Sequence, residues 1–108
     1  MNKYNNKKSE YNGIKFDSVK EMKYYIKLKE LLDKNEISNL ELQKEYILQD
    51  KFKLNNRTIR KISYVADFYY IDKDGNEHIV DTKGYRTEVY LLKKKLFQYK
   101  YQKEIEEV

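Results

Sequence analysis

The turn Asp72-Lys73-Asp74-Gly75 divides the most strand-prone part of the chain and fixes how its two halves can pair. Before it, Arg57 to Ile71 is rich in Ile, Val, Tyr and Phe, the residues that suit a pleated, half-buried strand. After it, Glu77 to Lys83 returns as a second strand, which Gly84 breaks. Asp at the first position and Gly at the fourth are the preferred ends of a type I turn. Gly75 then takes the left-handed position of a three-residue loop with its bulge, and Asp72 faces Asn76. Counting outward, Asp67 falls opposite Asp81 and Val65 opposite Lys83, with both aspartates on one face. A two- or four-residue loop would set the aspartates on opposite faces. Like charges directly across strands destabilise a sheet, so the register predicts something cationic between them.

The rest of the chain reads as one small layered domain. Residues 1–12 are expected to be a mobile polar tail, and residues 13–108 a single domain. Asn12-Gly13 is a turn signal, followed by an extended piece through Ile14 and Phe16. Asp17 and Ser18 are candidate N-caps for a helix to about Asp33, with Met22, Tyr25, Ile26, Leu28 and Leu32 at helical spacing. Leu40 to Gln49 reads as a strand interrupted by Lys44, and Asn55-Asn56 as a turn. Thr87 can cap a second helix from Glu88 to Lys100, with Val89, Leu92, Leu96 and Tyr99 on one face. The last residues read as a short final strand, with helix continuation as the alternative. The fold class is α/β (α+β), with helices packed on a mixed sheet.

Composition narrows the chemistry. With no cysteine and one histidine, a zinc-thiolate site, a cysteine nucleophile and a multi-histidine centre are excluded. Any metal is held by oxygen ligands, which points to Mg²⁺, with Mn²⁺ as its substitute. The net charge of +5 favours a polyanionic partner, nucleic acid first. No apolar run approaches the roughly 20 residues needed to span a bilayer, so no membrane partner is expected, and the protein is expected in the cytoplasm.

Asp81 and Lys83, two apart on a strand, share one face with Asp67. Glu21 heads the apolar stripe Glu21, Tyr25, Leu28, Leu32 of the first helix, although Ser18-x-x-Glu21 is equally a capping box. Three carboxylates and a lysine suit phosphodiester hydrolysis. Asp67 and Asp81, joined by the Thr82 carbonyl and Glu21, would hold Mg²⁺, and Lys83 would orient water and neutralise charge developing on phosphate.

An acidic residue on the first helix, an Asp on one strand and Asp-x-Lys on the next resemble the PD-(D/E)xK nuclease superfamily. The wider set is Tyr11-Asn12-Gly13, Phe16 to Glu21, Leu42-Gln43, Tyr64 to Phe68 and Asp81-Thr82-Lys83-Gly84. It resembles a family of small phage and prophage nucleases related to Holliday-junction resolvases and transposon end-cleaving nucleases, over Tyr11 to about Tyr101. The resemblance implies an αβββαβ core, divalent-metal DNA cleavage, and catalytic roles for Glu21, Asp67, Asp81 and Lys83. Ala66 stands where the superfamily's proline would precede Asp67. Gln43 sits where related nucleases place a polar residue facing the site.

Lys93, Lys94 and Lys95 on the second helix, with Arg60, are candidates for DNA-backbone contact, although a lysine run is also an ordinary solvated face. Tyr69, Tyr85 and Tyr90 are candidates for stacking on unpaired bases, with core packing the stronger reading for each. His78 alternates away from Asp81. The function expected is a DNA endonuclease acting on branched or otherwise structured DNA in phage replication, recombination or packaging; symmetric cutting of two strands would call for a homodimer. The alternatives are an inert nucleic-acid-binding module on the same fold and an interaction protein whose basic charge reflects genome composition.

Overall fold

The structure is a computed structural model that describes residues 9–82 and 85–108. Its elements run β1 (Ser9–Tyr11), β2 (Ile14–Phe16), α1 (Val19–Asp33), β3 (Ile37–Gln49), β4 (Phe52–Leu54), β5 (Arg57–Ile59), β6 (Ile62–Asp72), β7 (Glu77–Asp81), α2 (Glu88–Tyr101) and β8 (Glu106–Glu107). The fold is mixed α+β. A four-stranded sheet has the order β3-β6-β7-β8, and β1-β2 and β4-β5 are separate two-stranded ribbons. The chain divides into two compact units, Met1–Leu40 with Tyr70–Glu77, and Glu41–Tyr69 with His78–Val108.

In the first unit, the ends of α1 are set by local chemistry. Ser18 caps the helix from an extended conformation, its Oγ accepting the Glu21 N–H at 3.0 Å. At the other end Asn35 turns left-handed at φ 60°. The Asn35 and Glu36 N–H groups return to the carbonyls of Leu32 and Leu31, which closes the helix as a Schellman motif. Glu21, Tyr25 and Leu28 form the buried stripe. Ser9–Tyr11, expected within a polar tail, instead pairs with Ile14–Phe16 across the left-handed Asn12-Gly13 turn. Its reason for ordering is aromatic: Tyr11 and Phe16 both pack on Tyr25, at ring separations of 6.2 and 5.2 Å. The turn at residues 72–76 forms as expected. The Asp72 N–H donates to the Asn76 carbonyl at 2.9 Å, and Asp72 Oδ1 accepts from the N–H groups of Asp74 and Asn76.

In the second unit, the strand expected from Arg57 to Ile71 is broken at Arg60-Lys61, so its start belongs to the ribbon β4-β5. The strand expected from Leu40 already begins at Ile37, in the stretch that belongs to the first unit. Left-handed Asn39 (φ 54°) and Gln43 (φ 53°) disturb its alternation, which hides its beginning from a period-two reading. The end of the chain is a strand, with β8 parallel to β7 in the register Val80↔Glu106 and Asp81↔Glu107.

The buried face of α2 differs from the one expected. Val89, Leu92, Leu96 and Tyr99 are exposed, Tyr99 at 81%. The inward stripe is Tyr90, Lys94, Phe97 and Tyr101. Phe97 is fully buried among Tyr46, Tyr64 and Tyr101, at ring separations of 4.9, 5.4 and 5.2 Å. Both stripes have helical spacing, and periodicity alone does not choose between them. The aromatic stripe wins because it removes more apolar area from water and gives its tyrosine hydroxyls partners.

Candidate active site

Asp67 of β6 meets Thr82, the residue after Asp81, at the end of β7 in the second unit. Asp67 Oδ2 accepts both the N–H and the Oγ1–H of Thr82, each at 2.8 Å. These are the only donors to Asp67 among the described residues, and both reach the same carboxylate oxygen. Asp81 is 0% exposed, and its Oδ2 accepts the Tyr64 hydroxyl at 2.7 Å. Its carbonyl accepts the Val108 N–H at 3.0 Å, so β8 holds the Asp81 backbone from the other side.

Counting outward from the Asp72–Asn76 hydrogen bond sets Asp67 across from Asp81. Plain alternation along β6 then puts Tyr64 and Asp67 on opposite faces. The Tyr64 ring lies against Tyr90 and Phe97 of α2, and the Asp81 carboxylate is drawn to that side. Two different donors therefore hold the two carboxylates: Tyr64 bonds Asp81, and Thr82, the next residue after Asp81, bonds Asp67. Burial pushes the Tyr64 phenol far above its ordinary range, and its bond to Asp81 adds to this. Tyr64 thus stays a donor at every working pH. Tyr64→Phe is expected to lower stability by about 1.5–3 kcal/mol, the cost of removing a hydrogen bond to a charged group in a buried site. Urea denaturation of the two proteins checks this, and equal midpoints would show that the bond contributes nothing.

The other expected site residues are placed as follows. Glu21 belongs to the first unit, where it is 5% exposed. Its Oε1 accepts the Asp17 N–H at 3.4 Å while its own N–H bonds Ser18. Capping and stripe positions thus coexist in one residue. Lys83 lies outside the described residues. Gln43 is exposed on a left-handed backbone. Tyr69 and Tyr90 are buried, and Tyr85 is exposed. Arg60 and Lys95 are exposed, and Lys93 is half-buried. Lys94 lies on the inward stripe of α2, its ammonium 3.3 Å from Glu107.

A family model described as "Protein of unknown function (DUF1064)" matches residues 1–107. The chain belongs to the DUF1064 family. No curated protein and no solved structure matches it.

In this DUF1064 chain two participants at the sheet end were given no role from the sequence. Tyr64 carried a usable signal, since a tyrosine on the inward side of a strand needs an acceptor for its hydroxyl. Glu107 carried none, because its partners come from α2 and the segment before it. It accepts the Tyr90 hydroxyl at 2.7 Å and pairs with Arg86 at 3.2 Å and Lys94 at 3.3 Å. The Tyr90 hydrogen bond, followed by Lys94, lowers the Glu107 pKa below the ordinary glutamate value. A carboxyl lowered in the folded state adds stability above its unfolded pKa and loses it as pH falls through the folded one. Glu107→Gln should therefore be less stable than the parent at pH 7, and the gap should close below pH 4. Denaturation at pH 7 and pH 3 tests this, and a gap that persists at pH 3 contradicts it.

Proposed function

We propose that this chain is a Mg²⁺-dependent DNA endonuclease, with Mn²⁺ as a working substitute. The observation that carries the reading is the pair of aspartates held at the end of β7. Asp81 is buried beside Tyr64, and Asp67 is anchored through one carboxylate oxygen, while no described residue donates to the other. Both are hard oxygen donors, the type Mg²⁺ requires. Among the described residues no three His, Cys, Asp or Glu side chains form a ready metal cage. Mg²⁺ commonly takes only one or two carboxylates and completes its shell with water and substrate phosphate, so two aspartates fit it.

In this reading Asp67 and Asp81 hold the cation, with the Thr82 carbonyl beside them. The cation supplies Lewis acidity toward phosphate and a lowered pKa for water. Lys83 neutralises charge developing on the phosphate and orients the attacking water. Tyr64 fixes the Asp81 carboxylate so that it need not reorganise during the reaction. The motif likeness to PD-(D/E)xK nucleases supports branched or otherwise structured DNA as substrate. The second reading, an inert nucleic-acid-binding module, draws on the complete burial of Asp81. The discriminating experiment is incubation of labelled duplex, single-stranded and four-way-junction DNA with Mg²⁺, Mn²⁺ or EDTA. Cutting that EDTA stops supports the nuclease. Binding without cutting of any substrate supports the inert module.

A further inference from the structure

The ribbon β4-β5 is far longer than a connection between neighbouring strands needs. Twelve residues separate Gln49 from Ile62, where most loops within a compact domain use about four to six. Every residue from Lys51 to Thr58 is exposed, so the ribbon contributes nothing to a core. Its tip, Asn55-Asn56, has both residues left-handed, at φ 50° and 62°, the geometry of a tight type I′ turn. The register is Phe52↔Ile59, Lys53↔Thr58 and Leu54↔Arg57. That register gives the ribbon two distinct faces. Phe52, Leu54, Arg57 and Ile59 share one, Lys53 and Thr58 share the other, and Lys51 and Arg60 flank the ribbon at its base.

From Lys51 to Lys61 the chain has five basic residues and no acidic one. Lys61 pairs with Glu45 at 3.0 Å. Among the described residues, Lys51, Lys53, Arg57 and Arg60 have no ion-pair partner. An exposed like-charged ribbon repels itself, so it suits a polyanion better than water. Its place in the fold matters too. β6 and β7 run antiparallel from the turn at Asp72, so the start of β6, where the ribbon enters the sheet, lies toward the end of β7 that carries Asp81.

We infer that the β4-β5 ribbon is a nucleic-acid-gripping arm, in which Lys51, Lys53 and Arg60 contact the DNA phosphates beside the candidate active site. This rests on the nuclease reading for its substrate, but it is a claim about binding. Two-stranded ribbons enter the grooves of duplex DNA, where Lys53 and the basic residues flanking the ribbon's base can meet the phosphate backbone. Phe52 and Leu54, 44% and 54% exposed, give the opposite face an apolar surface for sugar and base edges.

The test is fluorescence-anisotropy binding of labelled duplex and junction DNA by the full chain without metal, over a salt series. The triple variant Lys51→Ala/Lys53→Ala/Arg60→Ala is expected to bind at least about tenfold more weakly at 0.15 M salt. Its slope of log affinity against log salt should fall by about 3, one per lost phosphate contact. Removing three lysines of α1 instead, Lys20, Lys23 and Lys27, is expected to change affinity by less than about threefold. Circular dichroism and thermal melting confirm that both variants fold. Equal affinity of parent and triple variant, or equal losses in both variants, overturns the arm while the nuclease reading stands on cleavage alone. No DNA binding by the parent overturns the arm, and cleavage then decides the nuclease reading separately. Retention on phosphatidylserine vesicles but not on DNA overturns the arm in favour of a membrane surface.

Discussion

Replacing Phe97 with alanine is expected to cost about 3–5 kcal/mol of folding stability, a large share of the roughly 5–15 kcal/mol that holds a small domain together. Phe97 is 0% exposed and packs on three tyrosine rings, Tyr46, Tyr64 and Tyr101. Truncation there leaves a cavity lined by rigid aromatics that cannot collapse to fill it. Leu92→Ala, on the same helix, should change stability by no more than about 0.5 kcal/mol, because Leu92 is 58% exposed. Urea denaturation of the two variants decides which stripe of α2 faces the sheet. A Leu92 effect that matched or exceeded the Phe97 effect would reverse the assignment.

The second large effect is on chemistry. Asp81→Asn is expected to slow metal-dependent DNA cleavage on the order of a hundred- to a thousandfold, the scale seen when one stabilising group is removed from a polar active site. The substitution keeps size and an amide oxygen that can still accept the Tyr64 hydroxyl, so the local packing survives. What it removes is a negative charge, and with it the pull on a divalent cation. DNA binding should be kept or tightened, since a carboxylate near phosphate repels it. Cleavage rates and binding isotherms on the same DNA separate the two. A variant that cuts as fast as the parent would assign Asp81 to structure.

The legible parts of this fold are those with local chemistry behind them. Ser18 and Thr87 announced both helix starts, and each caps with its side chain as its residue type predicts. Asp72 and Gly75 announced the turn, and through it the return of the chain along β6. The misread parts depend on long-range packing. Val89, Leu92, Leu96 and Tyr99 have the spacing of a buried stripe, yet the aromatic competitor around Phe97 took the sheet. Ser9–Tyr11 reads as polar tail because its ordering comes from Tyr25, well along the chain. At the candidate site the aspartates were visible as residue types, but their holders were not. Neither is local to the carboxylate it holds: Thr82 reaches Asp67, and Tyr64 reaches Asp81, only once β6 and β7 have paired. Lys94 reads as one of three solvated lysines until its pairing with Glu107 shows where the helix faces.

The most direct test of the account is the metal dependence of cutting by the parent chain and by Asp67→Asn. A labelled four-way junction is incubated with each protein while Mg²⁺ is raised from zero against EDTA. The account predicts a saturable rise in rate for the parent and at least about a tenfold higher Mg²⁺ requirement for Asp67→Asn, because a lost carboxylate weakens the cation's hold. Cutting that proceeds in EDTA, or Mg²⁺ curves that superimpose, would contradict it.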